Sequence, residues 1–504
     1  LSQVPQSAIL RFDASAQIGG GHAMRCRALA GALAEQGWDC RMAVRRETLD
    51  FLAASELGDA IVLECAVADE PAAIAGALAA RADLCVIDHY ARDAAYESSC
   101  RSAAARIMAI DDLAQVAHDC DYLLNQNPGA PVHAYAGLVP AACVLMVDPG
   151  LALLRPSFAK LRAERAQRPL QPVRRIFVSM GAVDRDALGL RLATALAERL
   201  PDVTFDVAPC GDGADGSVPH PRVRRHGFVD GLAELMAAAD FAVGAGGTTA
   251  LERCALGLAS AIVIVAENQR PGSLALQQAG AARVVADADR LDVASAASSI
   301  ADLVRDEARL ADMRTAARSV CAGGGAQIVA GLLSQKPFRF ALNDALARPA
   351  AQRAMDNAQL QLRFVQPTEV ELLFAWQSDP ATRRFSRAKH CPTPAEHRAW
   401  VRRYFADPTR GLLIVEAGGK AVGSLRLDWL ADGTGAEVSI VVAPERRGTG
   451  LGQRMLRLLL DIGFDFPVVG HVEPENAPSR AIFLKAGFRQ TADQLFTSMP
   501  GTVQ

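Results

Sequence analysis

The stretch AILRFDASAQIGGGHAMRCRALAGALAEQG, residues 8–37, decides the fold. Its apolar opening, AILRF, reads as a strand and the three glycines as a turn. The alanine-rich run that follows reads as a helix closed by Gly37. A strand, a glycine turn and a helix make the first βα unit of an α/β protein. Working outward, CRMAV, AIVLE, LCVID, RIMAI, RIFVSM, VTFDVAP, FAVGA and AIVIVA alternate with helical stretches as far as about residue 335. That rhythm predicts parallel sheets. It is interrupted near residues 148–172, which predicts two Rossmann-like halves, 1–155 and 156–335, with a ligand between them at the strand ends.

The glycine turn raises a chemical question, because His22 follows it directly. Unpaired N–H groups and the helix dipole favour a phosphate at that helix end, and the glycines let the backbone approach it. A histidine in the same place can act as a general base near pH 7. A dinucleotide-binding loop with an incidental histidine is the plain alternative. GGGHAM contains no GxGxxG, however, and the second strand ends in RRE rather than at a lone ribose-binding acid. Asp88, His89 and Tyr90 follow one strand, and Asp111 and Asp112 follow another, where active-site groups of α/β proteins collect. Aspartate after a strand is also ordinary turn chemistry.

FAVGAGGTTALERCALG repeats the pattern in the second half, with Gly246 and Gly247 as the turn and Thr248 and Thr249 opening a helix. It is a second phosphate-ready helix end. Thr249 and Glu252 also have the spacing of a capping box, which needs no ligand. Gly181, after RIFVSM, fits either a close backbone approach or a tight turn.

Composition narrows the partners. The chain has 504 residues, 22% charged and 50% hydrophobic, and a formal charge of -3, which argues for small-molecule partners and against nucleic acid or a membrane surface. Eleven cysteines without a CxxC pair or a secretory leader point to a reducing, cytoplasmic setting and to no metal site. The most apolar run, residues 241–266, is broken by glycines, Glu252 and Arg253, so no membrane span is expected.

Residues 336–359 show little strand character and read as a linker. Residues 360–504 change pattern: LQLRFVQP, GLLIVEAGGKAVGSLRLDWL and AEVSIVVAP predict antiparallel hairpins of an α+β domain. AEVSIVVAP runs into a glycine loop, RGTGLG, followed by a helix, and HVEPENAPSRAIFLKAGF comes after it.

On the quoted motifs, with GLVPAACVLMVDPGLALLRPSF, SMGAVD and AENQ, residues 1–335 resemble the UDP-sugar hydrolases of pseudaminic acid biosynthesis. Those enzymes act on UDP-2,4-diacetamido-2,4,6-trideoxy-β-L-altropyranose. The resemblance implies a glycosyltransferase-B-like fold, metal-independent release of UDP, and His22 as the base that activates water. It also implies substrate contacts from Asp13, Gly19, Gly21, Tyr90, Gly181, Gly246, Gly247 and Thr248, ribose binding by Glu252, and a sugar-facing pair, Asn268 and Gln269.

RGTGLG and NAPSRAIFLKAGF resemble the GCN5-related N-acetyltransferases (GNAT). LFAWQSDPATRRFSR is similar to the acetyltransferase of the same pathway, which acts on a UDP-4-amino sugar. This implies acetyl-CoA as cosubstrate, held by Val441, Val442, Arg447, Gly448, Gly450, Gly452 and Asn476. Glu437, His471 and Glu473 are candidates for taking the amine proton, and each could equally be a surface or packing residue. Many members carry tyrosine where this chain has Phe483, which leaves the general acid open. The combined expectation is a bifunctional enzyme that acetylates and then hydrolyses one UDP-sugar. A UDP-GlcNAc-type glycosyltransferase fused to an acyltransferase, or a hydrolase with an acetyl-CoA-sensing module, are the alternatives.

Overall fold

The computed structural model describes residues 5–15, 18–52, 57–168, 171–181, 184–208, 220–227, 231–335 and 337–498. The chain divides into two compact units. One comprises Leu1–Pro131 and Met146–Gly331, the other Val132–Leu145 and Leu332–Gln504.

The first unit is built on two sheets. Strands β1 (Ser7–Phe12), β2 (Asp39–Arg45), β3 (Ile61–Leu63), β4 (Ala82–Asp88), β5 (Ala104–Ile110), β6 (Tyr122–Asn125) and β7 (Val144–Val147) form the first, in the order β3-β2-β1-β4-β5-β6-β7. The second contains β8 (Arg175–Ser179), β9 (Thr204–Val207), β10 (Val223–Arg225), β11 (Phe241–Ala245), β12 (Ser260–Ile264) and β13 (Ala282–Asp287), in the order β10-β9-β8-β11-β12-β13. Neighbours in the interior of both sheets run parallel. Strands such as SAIVI and FAVGA are buried along their whole length, as expected where helices cover both faces.

Both orders reverse at their first strand, between β1 and β4 and between β8 and β11. In open α/β sheets the crevice outside the strand ends at such a reversal is where ligands bind. Two Rossmann-like sheets in tandem constitute the glycosyltransferase-B-like architecture.

The second unit has a sheet of β14 (Gln361–Phe364), β15 (Arg410–Ala417), β16 (Lys420–Trp429), β17 (Ala436–Val442), β18 (Val468–His471), β19 (Arg489–Gln490) and β20 (Leu495–Thr497), ordered β14-β15-β16-β17-β18-β20-β19. β15 and β16 form a hairpin around Gly418 and Gly419, both at positive φ, as a two-residue turn with the native strand twist requires. Only the β17–β18 pair is parallel among the described strand pairs of this sheet.

One expectation fails outright. Residues 336–359 are not a linker: they contain the helices Phe338–Ala347 and Pro349–Ala358. Phe338, Leu342, Leu346, Ala351 and Met355 are buried. The Phe338 ring meets Trp429 at 5.0 Å and Phe466 at 5.5 Å, and Leu342 occupies the place a side chain on Gly411 would need. The apolar residues recur at helical spacing, so the segment lacks strand character because it is helical and packed. The stretch Glu307–Leu333, long and apolar enough to pass for a membrane span, is two helices, Glu307–Val320 and Gly325–Leu333, interrupted at residues 321–324.

Candidate active sites

Helix α1 (Gly21–Glu35) starts at the end of the first glycine turn, with Gly20 as a cap that offers no side-chain acceptor. Gly19 has φ +84°, a conformation open to glycine. His22 is therefore in the first turn, and it is buried. Its Nδ1 lies 2.6 Å from Asp88 Oδ1, at the carboxyl end of β4. Arg25, three residues on and hence on the same helix face, bonds Asp88 through Nε and Nη2, both at 2.6 Å. Its Nη1 and Nη2 reach the two Asp112 oxygens at 3.0 and 2.9 Å.

Burial opposes the Asp88 charge, but Arg25 and His22 outweigh it and hold the carboxyl well below the usual range. Asp88 is thus an acceptor only, and His22 Nδ1 must donate. Nε2 is left as the basic nitrogen. Tyr90 packs edge-on against His22 at 5.0 Å and donates its hydroxyl to Asp112 at 2.8 Å. Asn268 Nδ2 donates to the Tyr90 oxygen at 3.4 Å, so residues of the two halves meet above His22. The site of a Cβ on Gly21 is 3.7 Å from Thr248 Oγ1, which brings the two glycine-turn helix ends face to face.

Asp13, an expected substrate contact, has partners within the chain. Its carboxylate accepts from Arg11 at 2.7 and 2.9 Å and from the Arg45 backbone N–H at 3.1 Å, and His89 lies 3.3 Å away. Arg11 is fully buried and also bonds Glu70, which Arg45, Arg92 and Tyr96 bond as well. Burial raises the Glu70 carboxyl and these donors more than reverse it, to about 2. This buried network holds the end of β1 and Asp13 just beyond it. Sequence reading missed Arg11, Arg25 and Glu70. Only the helical spacing of Arg25 from His22 could have signalled one of them.

In the second half, helix Thr248–Ala255 begins at Gly247 without a side-chain cap, so the capping box does not form. Glu252 is instead buried, with Oε1 3.7 Å from Arg155 and Oε2 unpartnered among the described residues. Burial pushes its carboxyl up to about 7, against the pull of Arg155 and Arg253. Such an orphaned acceptor suits a ligand hydroxyl. Gln269 Oε1 accepts from Gly246 N at 3.1 Å and so braces the glycine turn, leaving Asn268 as the member of the pair that reaches the other half. Gly181 has φ +105° and open space where a side chain would be.

The second unit carries the other predicted cluster. β17 pairs with β18 only over Ala436, Glu437 and Val438, so the two strands part beyond that point and Val441 and Val442 have no ladder partner on that side among the described residues. Of the two, Val442 turns its N–H and C=O to that side, since Ala443, the next residue, bonds Val422 on the β16 side, and these groups fit the amide-bearing arm of coenzyme A. Gly448 and Gly450, at φ +75° and +76° with open space beside them, face the start of helix Leu451–Asp461 and fit a pyrophosphate. Gly452 serves packing instead, since a Cβ there would lie 3.2 Å from Ile482.

Arg447 is bound to Asp379 and Thr382, each at 2.7 Å, and so ties the glycine loop to the helix Pro380–Arg384. Asn476 caps helix Ala477–Ala486 through the Ser479 N–H at 3.1 Å. Glu437 is paired with Arg387 at 2.5 Å, His471 is exposed at the end of β18, and Glu473 is half-buried. Phe483 is core: it packs on Phe488 and Phe496 and fills the space beside Gly470. Among the described residues no three His, Cys, Asp or Glu are grouped to hold a metal ion.

The chain was compared with known proteins. Residues 359–489 match the acetyltransferase (GNAT) domain family, so the C-terminal unit carries a GNAT domain. A MurG structure from Acinetobacter baumannii is similar at 16% identity, covering 66% of this chain and 100% of that one with a TM-score of 0.49. A putative UDP-N-acetylglucosamine 2-epimerase from Listeria monocytogenes is similar at 12% identity, 66% and 96% coverage and a TM-score of 0.45. A spermidine N-acetyltransferase from Vibrio cholerae in complex with CoA and spermine is similar at 18% identity, 28% and 94% coverage and a TM-score of 0.26. No curated protein matches the chain.

Proposed function

We propose that the chain is a bifunctional enzyme of nucleotide-sugar metabolism. Its C-terminal unit acetylates the 4-amino group of a UDP-linked 6-deoxy amino sugar of the pseudaminic acid route, and its N-terminal unit hydrolyses the product to UDP and free sugar. The observation that carries the hydrolase reading is the His22–Asp88 pair at 2.6 Å, at the end of a glycine turn that faces a second one. Asp88 fixes the imidazole with Nε2 basic, as an orienting carboxylate does for a catalytic histidine elsewhere. Nε2 takes a proton from water as the water oxygen bonds to the anomeric carbon. The bond from that carbon to the phosphate oxygen breaks, and UDP leaves with the electron pair. Glu252 accepts the ribose hydroxyls, and the opposed helix ends carry the diphosphate charge. Asn268 and Tyr90 border the sugar.

In the C-terminal unit, acetyl-CoA supplies the acetyl group when bound. Val442 offers it backbone hydrogen bonds where β17 and β18 part, beside Val441, and Gly448 and Gly450 make room for its pyrophosphate. Arg447 holds the loop in place through Asp379. Glu437 lies within the sheet opposite Asp428 and is the carboxylate best placed to accept a proton from the attacking amine. Phe483 favours a second reading, an acetyl-CoA-sensing module, because the core takes the position that a general acid would need.

A time course with the synthetic UDP-4-amino sugar decides. With acetyl-CoA, a doubly acetylated UDP-sugar appears first and then falls as UDP and free sugar rise together; without it, little UDP forms, because a 4-ammonium group would have to be desolvated without a partner. Equal UDP release from the unacetylated sugar would refute the order, and absence of any acetylated species would favour the sensing module.

A further inference from the structure

Arg253 has no place in the roles above, yet it is among the largest fully buried side chains of the protein. It is on helix Thr248–Ala255 and its side chain runs back toward the start of that helix. Nη2 donates to the carbonyl of Ala245, the last residue of β11, at 2.7 Å. Nη1 lies 2.5 Å from where a Cβ on Gly244 would stand, and the Ser179 carbonyl is 2.5 Å from the same point. The guanidinium therefore sits against the carboxyl ends of β8 and β11, the two strands that flank the reversal in the second sheet. One residue beyond its Ala245 contact comes the turn of Gly246 and Gly247, and two residues beyond Ser179 comes Gly181.

No hydrogen-bonded counter-ion explains a cation there. Nε and Nη1 have no hydrogen-bond partner among the described residues, and no carboxylate bonds the group. The adjacent Glu252 has Arg155 as its ion-pair neighbour. Burial lowers Arg253 to about 10, which still leaves it charged at neutral pH. A buried charge without a bonded counter-ion is costly, and a methionine or leucine of similar volume would fill the space at less cost. Gly244 is kept free of a side chain by the same guanidinium. Glu252 feels its charge, but burial disfavours that carboxylate and no hydrogen bond joins the two; a ligand anion beside Gly181, where a side chain would meet open space, and the turn of Gly246 and Gly247 can supply what the chain does not bond to it.

Resting on the nucleotide-sugar reading, we infer that Arg253 is a positioning residue whose buried charge, set beneath both glycine turns, makes the second half prefer a nucleoside diphosphate over the bare nucleoside. It acts without touching the ligand. Its field adds to the helix dipole in a medium of low dielectric, and its bond to Ala245 keeps the turn aimed.

The test titrates UDP and uridine separately into the full-length protein and its Arg253→Met, Arg253→Gln and Arg253→Lys variants by calorimetry, with thermal melting of each ligand-free protein. In Arg253→Met, UDP affinity is expected to fall about tenfold or more while uridine affinity stays within about twofold, as loss of a single charge interaction predicts. Its ligand-free melting temperature should not fall. Arg253→Lys should recover most of the UDP affinity. Arg253→Gln, which keeps a donor for Ala245 but no charge, should behave as Arg253→Met and decides the matter if the latter does not fold. Equal weakening of both ligands, or an unchanged UDP-to-uridine ratio in Arg253→Gln, would mean that Arg253 is only a brace and would overturn the inference. A wild-type protein that binds UDP no better than uridine would instead remove the nucleotide-sugar reading itself.

Discussion

His22 shows how a single residue acquires a chemical role from its surroundings. Its ring is fixed by Asp88, Asp88 is kept ionised by Arg25, and Arg25 is held in turn by Asp112. His22→Ala is expected to lower UDP release by about 10² or more, the usual worth of a positioned base, with acetyl transfer unchanged; parallel assays of the two half-reactions check this. Glu252 yields a prediction about pH. Its folded-state carboxyl is raised to about 7 from an ordinary 4.5, so the folded chain binds the proton more tightly than the unfolded chain. Its contribution to stability is fully present below pH 4.5 and is lost as pH rises through 7. The ligand-free melting temperature of wild type should therefore drop between pH 5 and 8 by more than that of Glu252→Gln. Identical pH profiles would show that Glu252 is not desolvated as described.

At the scale of elements, the helices Phe338–Ala347 and Pro349–Ala358 are part of the C-terminal core. Phe338→Ala should destabilise that unit by roughly 3–5 kcal/mol, as loss of a fully buried aromatic ring does. Urea unfolding followed by Trp429 fluorescence measures it, and an unchanged midpoint would restore the linker. The sequence made the βα rhythm and the acetyltransferase hairpins legible because their apolar runs are long and bounded by glycine. Four strands of the two parallel sheets escaped it. Tyr122–Asn125, Val144–Val147 and Val223–Arg225 have only three or four residues, and ARVVAD is interrupted by Arg283 and ends in Asp287. Within the site, His22, Tyr90, Glu252 and Asn268 could be picked out because glycine turns and strand ends mark them. Arg11, Arg25, Glu70 and Arg253 could not, since a buried arginine has no local signature and its partners lie up to 87 residues away, as Asp112 does from Arg25. Asp13 and Gln269 have partners within the chain that the sequence does not show, because spacing shows where a side chain starts and not what it bonds.

At the scale of the whole molecule, the division into units does not follow chain order. Within the segment Val132–Leu145, Val144 and Leu145 open β7, whereas the turn Val132–Tyr135 belongs with the C-terminal unit: it packs against the turn Pro367–Glu369, and Tyr135 is fully buried. A fragment ending at residue 331 thus keeps the segment but lacks what covers it. Limited proteolysis should cut that fragment within residues 132–145 and spare the same bonds in the full chain. Equal resistance in both would show that the segment is at home in the first unit.

The same interleaving sets a timetable for synthesis. When Leu145 leaves the ribosome, its unit does not resume until Leu332, roughly 200 residues later, or on the order of 10–40 s at about 5–20 residues per second. For that interval the nascent N-terminal sheet must close around a loop that has nowhere to go. The second catalyst then forms only by reaching back for a piece of chain made before its own first strand. A gene split at the apparent domain border would give two products that must find each other before the acetyltransferase is whole.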